Sequence, residues 1–305
     1  LLVQLFWVVQ SDVAFEEAAV QASMERARRV DAWRKRSARP RPNAGKQVKR
    51  TIPLRAVGNP AMAIVWKNTL LLMRTGRVGS MVGLVIMAIV ISLPTIESRG
   101  VDGRFLAIAA LMLVFLLIVL GSRVLQNDFR QDADHLATLK TLPLPANRIV
   151  GAEVLSSALP ISILQLLLVV FAFAATLGEA DLPLDLPRRI ALLLMAPLIL
   201  LSVNATTVTI QNAAALLFPG WVRATPIVGG GIEVMGQGIL ATGMLLLTFI
   251  VALLPAAAAS VAVWFALARV PNVWIVAVLV AAAVLLGETW WAIQGLGRRF
   301  EKMEP

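Results

Sequence analysis

The sequence has no cysteine and no tyrosine, and its single histidine is His135. The lack of cysteine excludes disulfides, thiolate metal sites and cysteine nucleophiles, and a lone histidine excludes a histidine cluster. Charged residues are also scarce, at 15% of the chain against 58% apolar residues, and the mean hydropathy is +0.79. Soluble domains carry about 25% charged residues. This composition therefore excludes an ordinary soluble protein.

The chain does have long runs without charge. An α-helix needs about 20 apolar residues to cross the hydrocarbon of a membrane. Six stretches without Asp, Glu, Lys or Arg have about this length or more: Val78–Ile96, Phe105–Ser122, Val154–Gly178, Ile190–Val222, Val234–Ala268 and Val270–Gly287. They are continuously apolar and do not alternate, which favours helices. The predicted fold is an all-α polytopic membrane protein with about six transmembrane helices.

Positive charge is concentrated ahead of these runs. Ser11–Ser80 contains 15 Lys and Arg residues and 5 Asp and Glu residues. If this segment lies inside and six spans follow, the inside holds 23 Lys and Arg residues and the outside 5. The positive-inside rule then places both ends of the six-span block in the cytoplasm. We predict a multi-pass integral protein of the bacterial inner membrane.

The pattern divides the chain into four segments. Residues 1–10 are expected to end a truncated upstream transmembrane helix, and residues 11–58 form a basic cytoplasmic helix and linker. Residues 59–294 are the transmembrane domain, and residues 295–305 are a cytoplasmic tail. The basic segment suits an anionic lipid surface. Nucleic acid is not expected as a partner, because no aromatic residues interleave the basic cluster.

Two segments do not fit a simple span. Asn59–Arg77 is amphipathic and predicts an elbow helix that lies in the inner membrane interface; a longer, tilted first span is the alternative. Val234–Ala268 is too long for one span and contains Pro255. It predicts one span followed by a re-entrant element before the last span, with two full spans as the alternative.

The connection between the second and third runs is rich in charged residues and proline. Its pattern predicts a helix over Asp132–Leu142, stopped by Pro143 and Pro145, and a second helix from about Asn147 that enters the third span. Such a rigid piece between two membrane helices would act as a lever, because packed helices move as bodies. A plain connecting loop is the alternative, and composition alone favours it.

The same stretch, DADHLATLKTLPLPANRIVGAE, resembles the first cytoplasmic loop of type-2 ABC exporter permeases. The matching positions are Asp132, Leu136, Leu139, Thr141, Leu142, Pro143, Leu144, Ile149, Gly151 and Glu153. Asp134 and His135 stand where the family commonly has Gly-Thr. The wider predicted organisation is also similar to that of the family. It has an elbow helix, six spans, a coupling helix after the second span and a re-entrant element before the sixth. On this resemblance the chain is an N-terminally incomplete permease.

The resemblance implies a transport function without a catalytic residue in this chain. The loop would dock on a separate ABC ATPase subunit through Asp132, Leu136, Leu139, Lys140, Thr141, Leu142, Pro143, Leu144 and Pro145. Glu233, in the next cytoplasmic connection, is a candidate second contact. A second permease half, identical or not, would complete the path. No cofactor and no metal are expected, and no G-x-x-x-x-G-K-[ST] motif is present.

Polar residues in the fourth run are candidates for the path itself. Asn204, Thr207 and Gln211 share one helical face, and polar side chains at membrane depth face other helices or a wet cavity. Lining a translocation path and bonding between helices both fit this pattern. The cluster Asp132–His135 offers carboxylates and an imidazole, but a solvated loop face explains it better than a metal site.

Two other functions remain open. A secondary transporter needs an ionisable residue deep in a span, and the six runs contain none. A membrane scaffold or sensor would use Ser11–Ile52 as its docking arm.

Overall fold

The structure is a computed structural model that describes residues 58–75, 79, 83, 102–125, 129, 136–179, 182–218 and 232–303. The described residues belong to one compact unit, Pro53–Pro305, and contain no strand. Their helices are α1 (Met62–Thr75), α2 (Gly103–Leu125), α3 (Leu136–Lys140), α4 (Ala146–Ala175), α5 (Leu186–Leu217), α6 (Ile232–Ala266) and α7 (Val273–Lys302).

Five of these helices, α2 and α4–α7, are long and apolar enough to cross a membrane. This confirms the prediction of an all-helical, multi-pass membrane protein. The first predicted run, Val78–Ile96, lies outside the described residues apart from Gly79 and Gly83. The predicted segments 1–10 and 11–58 also lie outside them, apart from residue 58.

Two of the spanning helices continue well beyond the uncharged runs. α4 begins at Ala146 although its run begins at Val154, and α7 continues to Lys302 although its run ends at Gly287. Each has 30 residues, which is about 45 Å of helix against about 30 Å of hydrocarbon. Charged residues therefore end the apolar runs without ending the helices. The residues assigned to a tail at 295–305 belong mostly to α7.

α4 is the centre of the bundle and packs against α1, α2, α5 and α7. α5 also packs against α7, while α6 packs mainly against α7. Small residues line that last contact: the Ser260 hydroxyl donates a hydrogen bond to the Ala277 carbonyl at 2.9 Å, and Ala256 is buried. Small side chains let membrane helices approach closely, which is how such helices associate without a hydrophobic driving force.

The helix α6 continues through Pro255 without a break. Proline removes one backbone hydrogen bond, but spanning helices tolerate it because their neighbours compensate; Pro160 in α4 and Pro197 in α5 are accommodated in the same way. The structure therefore shows neither the re-entrant element expected after Pro255 nor a second full span in this run.

The helix expected for the elbow is present as α1. The Asn59 side-chain oxygen accepts a hydrogen bond from the Ala61 amide at 3.1 Å, next to the start of the helix. Ile64, Asn68 and Leu72 are buried, and their spacing places them on one face of the helix. Its position in the membrane interface stays a prediction.

Candidate functional site

The loop between α2 and α4 has the predicted order of a short helix, a proline turn and a long helix. α3 ends at Lys140, and the amides of Thr141 and Leu142 still bond back to the carbonyls of Thr138 and Leu139 at 3.2 and 3.3 Å. Pro145 is extended (φ −62°, ψ 139°) and precedes the first residue of α4. A proline suits that position because the first amides of a helix have no helical acceptor.

The loop residues predicted to dock together lie on two sides. Thr141, Leu142, Pro143 and Pro145 are exposed, whereas Leu139 is buried at 7% exposure. Leu136 lies in α3, Asp132 lies outside the described residues, and Leu144 packs inward. The helix predicted over Asp132–Leu142 stops at Lys140 in the structure, so Leu142 no longer follows helical spacing. Leu139 would have to leave the core to contact a partner.

The inward side of the loop belongs to an apolar core at this end of the bundle, which we call the loop-end cluster. Its buried members come from α1, the loop, α4, α5 and α7: Ala61, Ile64, Phe129, Leu139, Ala146, Ile149, Val150, Ala152, Leu216, Leu296 and Phe300. The rings of Phe129 and Phe300 are 5.7 Å apart at an angle of 32°. Aromatic pairs at such distances add about 0.5–1.5 kcal/mol beyond their burial. The loop is thus anchored to several helices.

Lys140, predicted as a docking residue, contacts the end of α7. Its ammonium donates hydrogen bonds to the carbonyls of Met303 and, at 3.5 Å, Glu301. It also lies 5.7 Å from the centre of the Phe300 ring. The last carbonyls of a helix lack helical donors and carry its negative partial charge, so a cation is stabilising there. Lys140 therefore joins the loop to α7.

A buried carboxylate joins α1 to α4. Glu153 is fully buried, and its Oε2 accepts a hydrogen bond from Asn68 Nδ2 at 2.7 Å. The same amide nitrogen lies 2.9 Å from the Ser156 hydroxyl, which donates to the Glu153 carbonyl. Sequence reasoning matched Glu153 to a family motif but missed Asn68. The available signal was a polar residue on the apolar face of α1, four residues after Ile64.

A second polar group, which we call the Asn204 network, joins α2, α4 and α5. Asn204 Nδ2 donates to the Ser162 hydroxyl at 2.9 Å and to Gln165 Oε1 at 2.5 Å. Gln165 Nε2 in turn donates to the carbonyl of Val114 at 3.3 Å. Asn204 is 2% exposed, so in this conformation it bonds helices together and does not face an open path.

The other two path candidates face a crevice between α2, α5 and α6. Thr207 and Gln211 line it, together with Ile118, Val119, Ile210, Thr242, Leu245, Leu246 and Phe249. The centre of a water molecule has about 20 Å³ available there, which is room for one or two waters. The Thr207 hydroxyl donates to the carbonyl of Val203. The crevice is lined mainly by apolar side chains.

The C-terminal half of α7, which lies nearest the loop, contacts α4 and α5 through a few polar side chains. Thr206 and Thr289 join their hydroxyls at 3.0 Å, and Asn147 Nδ2 donates to Gln294 Oε1 at 2.8 Å. Gly297 lies against Asn147 so closely that an added Cβ would be 2.8 Å from its Cα. A side chain larger than hydrogen at position 297 would therefore separate α7 from α4.

Other candidate residues are not brought into one site. Glu233 lies in the first turn of α6, and its role as a second contact stays a prediction. Within the described ranges, no group of three or more Asp, Glu and His residues is placed to hold a metal. The Asp132–His135 cluster falls outside those ranges.

Comparisons of the chain with protein-family models, curated proteins and solved structures give no match. The loop motif and the geometry of the bundle are therefore the features that bear on its function.

Proposed function

We propose that this chain is the membrane permease subunit of an ABC-type exporter, which couples ATP hydrolysis on a separate ATPase subunit to export of a substrate. The observation that carries the proposal is the two-sided loop between α2 and α4. Leu142 and Pro143 are exposed on one side, and Leu139 is buried in the loop-end cluster on the other. The exposed side is suited to contact a soluble partner.

The loop is also built to transmit force. Lys140 and Leu139 contact the bundle within three residues of the exposed Leu142. The loop continues directly into α4, which packs against four other helices. Since packed helices move as bodies, a displacement at Leu142 would shift α4 and its neighbours rather than dissipate in the connection.

The proposal also assigns a partner and a location to the chain. The sequence contains no G-x-x-x-x-G-K-[ST] motif, and the glycines Gly229–Gly231 lack the lysine that holds phosphate. We therefore assign ATP hydrolysis to another polypeptide. We assign the loop end to the cytoplasm of a bacterial inner membrane on the distribution of Lys and Arg. The exposed apolar faces of α2 and α6 would contact lipid and a second permease half.

One observation favours the alternative of a secondary transporter. Glu153 is fully buried, and it lies within the 30-residue helix α4 that is apolar enough to span a membrane. A buried ionisable residue at membrane depth is typical of proton or ion coupling, and Glu153 directly precedes the uncharged run of α4. Transport that follows an ion gradient and persists without ATP would support this alternative.

The test of the proposal uses two leucines of equal exposure at opposite ends of the bundle. Leu142 is 37% exposed in the loop, and Leu184 is 38% exposed between α4 and α5. Tagged protein would be purified from native membranes in mild detergent as the parent, Leu142→Asp and Leu184→Asp, and assayed for co-purified ATP hydrolysis. We expect an ATPase subunit with the parent and with Leu184→Asp, and its loss from Leu142→Asp. Equal ATPase in all three, or none in any, contradicts the proposal.

A further inference from the structure

We infer that the last helix, α7, is the output element of the loop, and that Lys140 and Phe300 are the positioning residues that make α7 follow it. This inference rests on the proposed function and extends it. The chain links the loop to α2 and α4 directly, but Lys140 and Glu301 are separated by 161 residues. Any movement of α7 with the loop must therefore pass through noncovalent contacts.

Those contacts form a compact clamp, which we define as Phe129, Lys140 and Phe300. The Phe300 ring lies 5.7 Å from the Phe129 ring and also 5.7 Å from the Lys140 ammonium. The ammonium bonds to the carbonyls of Glu301 and Met303 at the end of α7. The clamp thus holds the helix both by its side chain and by its backbone. A cation is suited to the carbonyl end of a helix, and it is also attracted to an aromatic face.

The clamp lies next to the surface on which a partner would act. Lys140 points to α7, and Leu142, two residues later, is exposed. A displacement of Leu142 is therefore applied within two residues of the contact with α7. Both described hydrogen bonds of the Lys140 ammonium go to carbonyls at the end of α7.

The surroundings of the clamp are incompletely hydrogen-bonded within the protein. Asn147 donates to Gln294 of α7, but its Oδ1 has no partner among the described residues. Asn212 accepts from the Phe129 amide at 3.2 Å, but its buried Nδ2 has none. Buried polar groups are usually paired, and an unpaired one favours any rearrangement that supplies a partner. Both amides flank α7 or the clamp, where a shift of α7 would change their surroundings.

The contrast with the Asn204 network supports α7 as the moving part. In that network the Asn204 and Gln165 amides bond directly between α4 and α5, and Gln165 reaches the backbone of α2. These three helices are held together in the middle of the bundle. α7 is joined to α5 there by a single pair of hydroxyls, Thr206 and Thr289. Its described bond to α4, from Asn147 to Gln294, lies nearer the loop.

The lack of cysteine allows spin labels to be placed in pairs on the full chain in lipid, with the ATPase subunit present. A clamp pair, Thr138→Cys with Arg298→Cys, reports the loop against α7 and leaves Leu142, the proposed docking residue, unlabelled. An output pair, Leu217→Cys with Arg298→Cys, reports α7 against α5. All these positions are exposed. Each pair would be measured without nucleotide and with a non-hydrolysable ATP analogue, in the parent, Lys140→Met, Phe300→Ala and the control Lys302→Met.

In the parent and in Lys302→Met, we expect the clamp distance to stay constant while the nucleotide analogue changes the output distance. In Lys140→Met and Phe300→Ala, the clamp distance distribution should broaden about twofold, and the response of the output pair should fall roughly 3- to 10-fold. Lys140→Arg, which keeps the cation, should restore the response. If Lys140 and Phe300 served only in packing, their substitution would leave the nucleotide response of the output pair unchanged.

Two results would overturn the inference: an output response that is unchanged in both clamp variants, or a clamp distance that neither substitution alters. Phe300→Ala removes a large buried ring and can prevent folding. In that case the result with Lys140→Met alone tests the inference. If no ATPase subunit binds the parent, the proposed function fails. The clamp distance in the chain alone then shows separately whether Lys140 and Phe300 hold α7 to the loop.

Discussion

The largest apolar cluster of the described residues lies at the loop end, whereas a buried network of side-chain amides lies in the middle of the bundle. The loop-end cluster is apolar, with Ile149, Val150 and Phe300 among its buried members. The Asn204 network is polar and joins its helices through amides and a hydroxyl. The difference follows from the solvent. The lengths of α4 and α7 and the distribution of Lys and Arg predict that their loop ends extend beyond hydrocarbon, where water drives apolar burial. Inside lipid that drive is absent, and helices associate through close packing and hydrogen bonds.

The largest expected effect is at the loop end. Ile149→Ala removes buried methyl groups from the loop-end cluster and should lower the free energy of unfolding by about 2–5 kcal/mol. Ile163, on the same helix, is 53% exposed, and Ile163→Ala should change it by less than about 0.5 kcal/mol. Tryptophan fluorescence during denaturation in lipid or detergent measures both. Equal losses would mean that the loop end is not a distinct core.

A smaller effect is expected where α7 approaches α4. Gly297→Ala would place a methyl group 2.8 Å from the Cα and backbone nitrogen of Asn147, and such overpacking should cost about 1–3 kcal/mol. Gly295, two residues earlier, has open space around it. Gly295→Ala should instead stabilise the helix by about 0.5–1 kcal/mol. Midpoints of thermal unfolding provide the comparison, and a stabilised Gly297→Ala would show that α7 is not held closely to α4.

The smallest effect is expected in the middle of the bundle. Asn204→Leu breaks the bond to Gln165, and membrane hydrogen bonds of this kind contribute about 0.6 kcal/mol on average and up to about 1.7 kcal/mol. The double variant with Gln165→Leu should lose less than the sum of the single variants, because it leaves no unpaired buried amide. A double-mutant cycle on unfolding free energies gives this coupling. Strict additivity would contradict a direct role for the Asn204–Gln165 bond.

The sequence was sufficient for those features that depend on local pattern. Uncharged runs predicted the spanning helices, and Pro143 with Pro145 predicted the turn before α4. It was insufficient for helix ends, because Glu153 and Glu288 each bound an uncharged run without ending a helix. Pro255 suggested a break, but a spanning helix accommodates a proline when its neighbours pack around it.

Features that depend on distant residues were missed for a physical reason. Asn204, Thr207 and Gln211 share a helical pattern, yet only the partners Ser162 and Gln165 decide that Asn204 bonds to α4. From the sequence alone, Lys140 is expected to be an exposed cation in a loop. Its contact with the end of α7 joins residues that are 161 positions apart in the chain. Leu139 and Leu142 are three residues apart, and they diverge because α3 ends between them.

The two-sided loop is tested most directly by photocrosslinking from single cysteines in native membranes. A thiol-linked photoreactive group would be attached at Leu142→Cys, with Leu184→Cys as the equally exposed control. The account expects an adduct from position 142 with a polypeptide whose sequence contains G-x-x-x-x-G-K-[ST] and which ATP analogues also label, and no such adduct from position 184. If position 142 yields only lipid adducts, or the same adducts as position 184, the loop does not dock on an ATPase subunit and the permease proposal is contradicted.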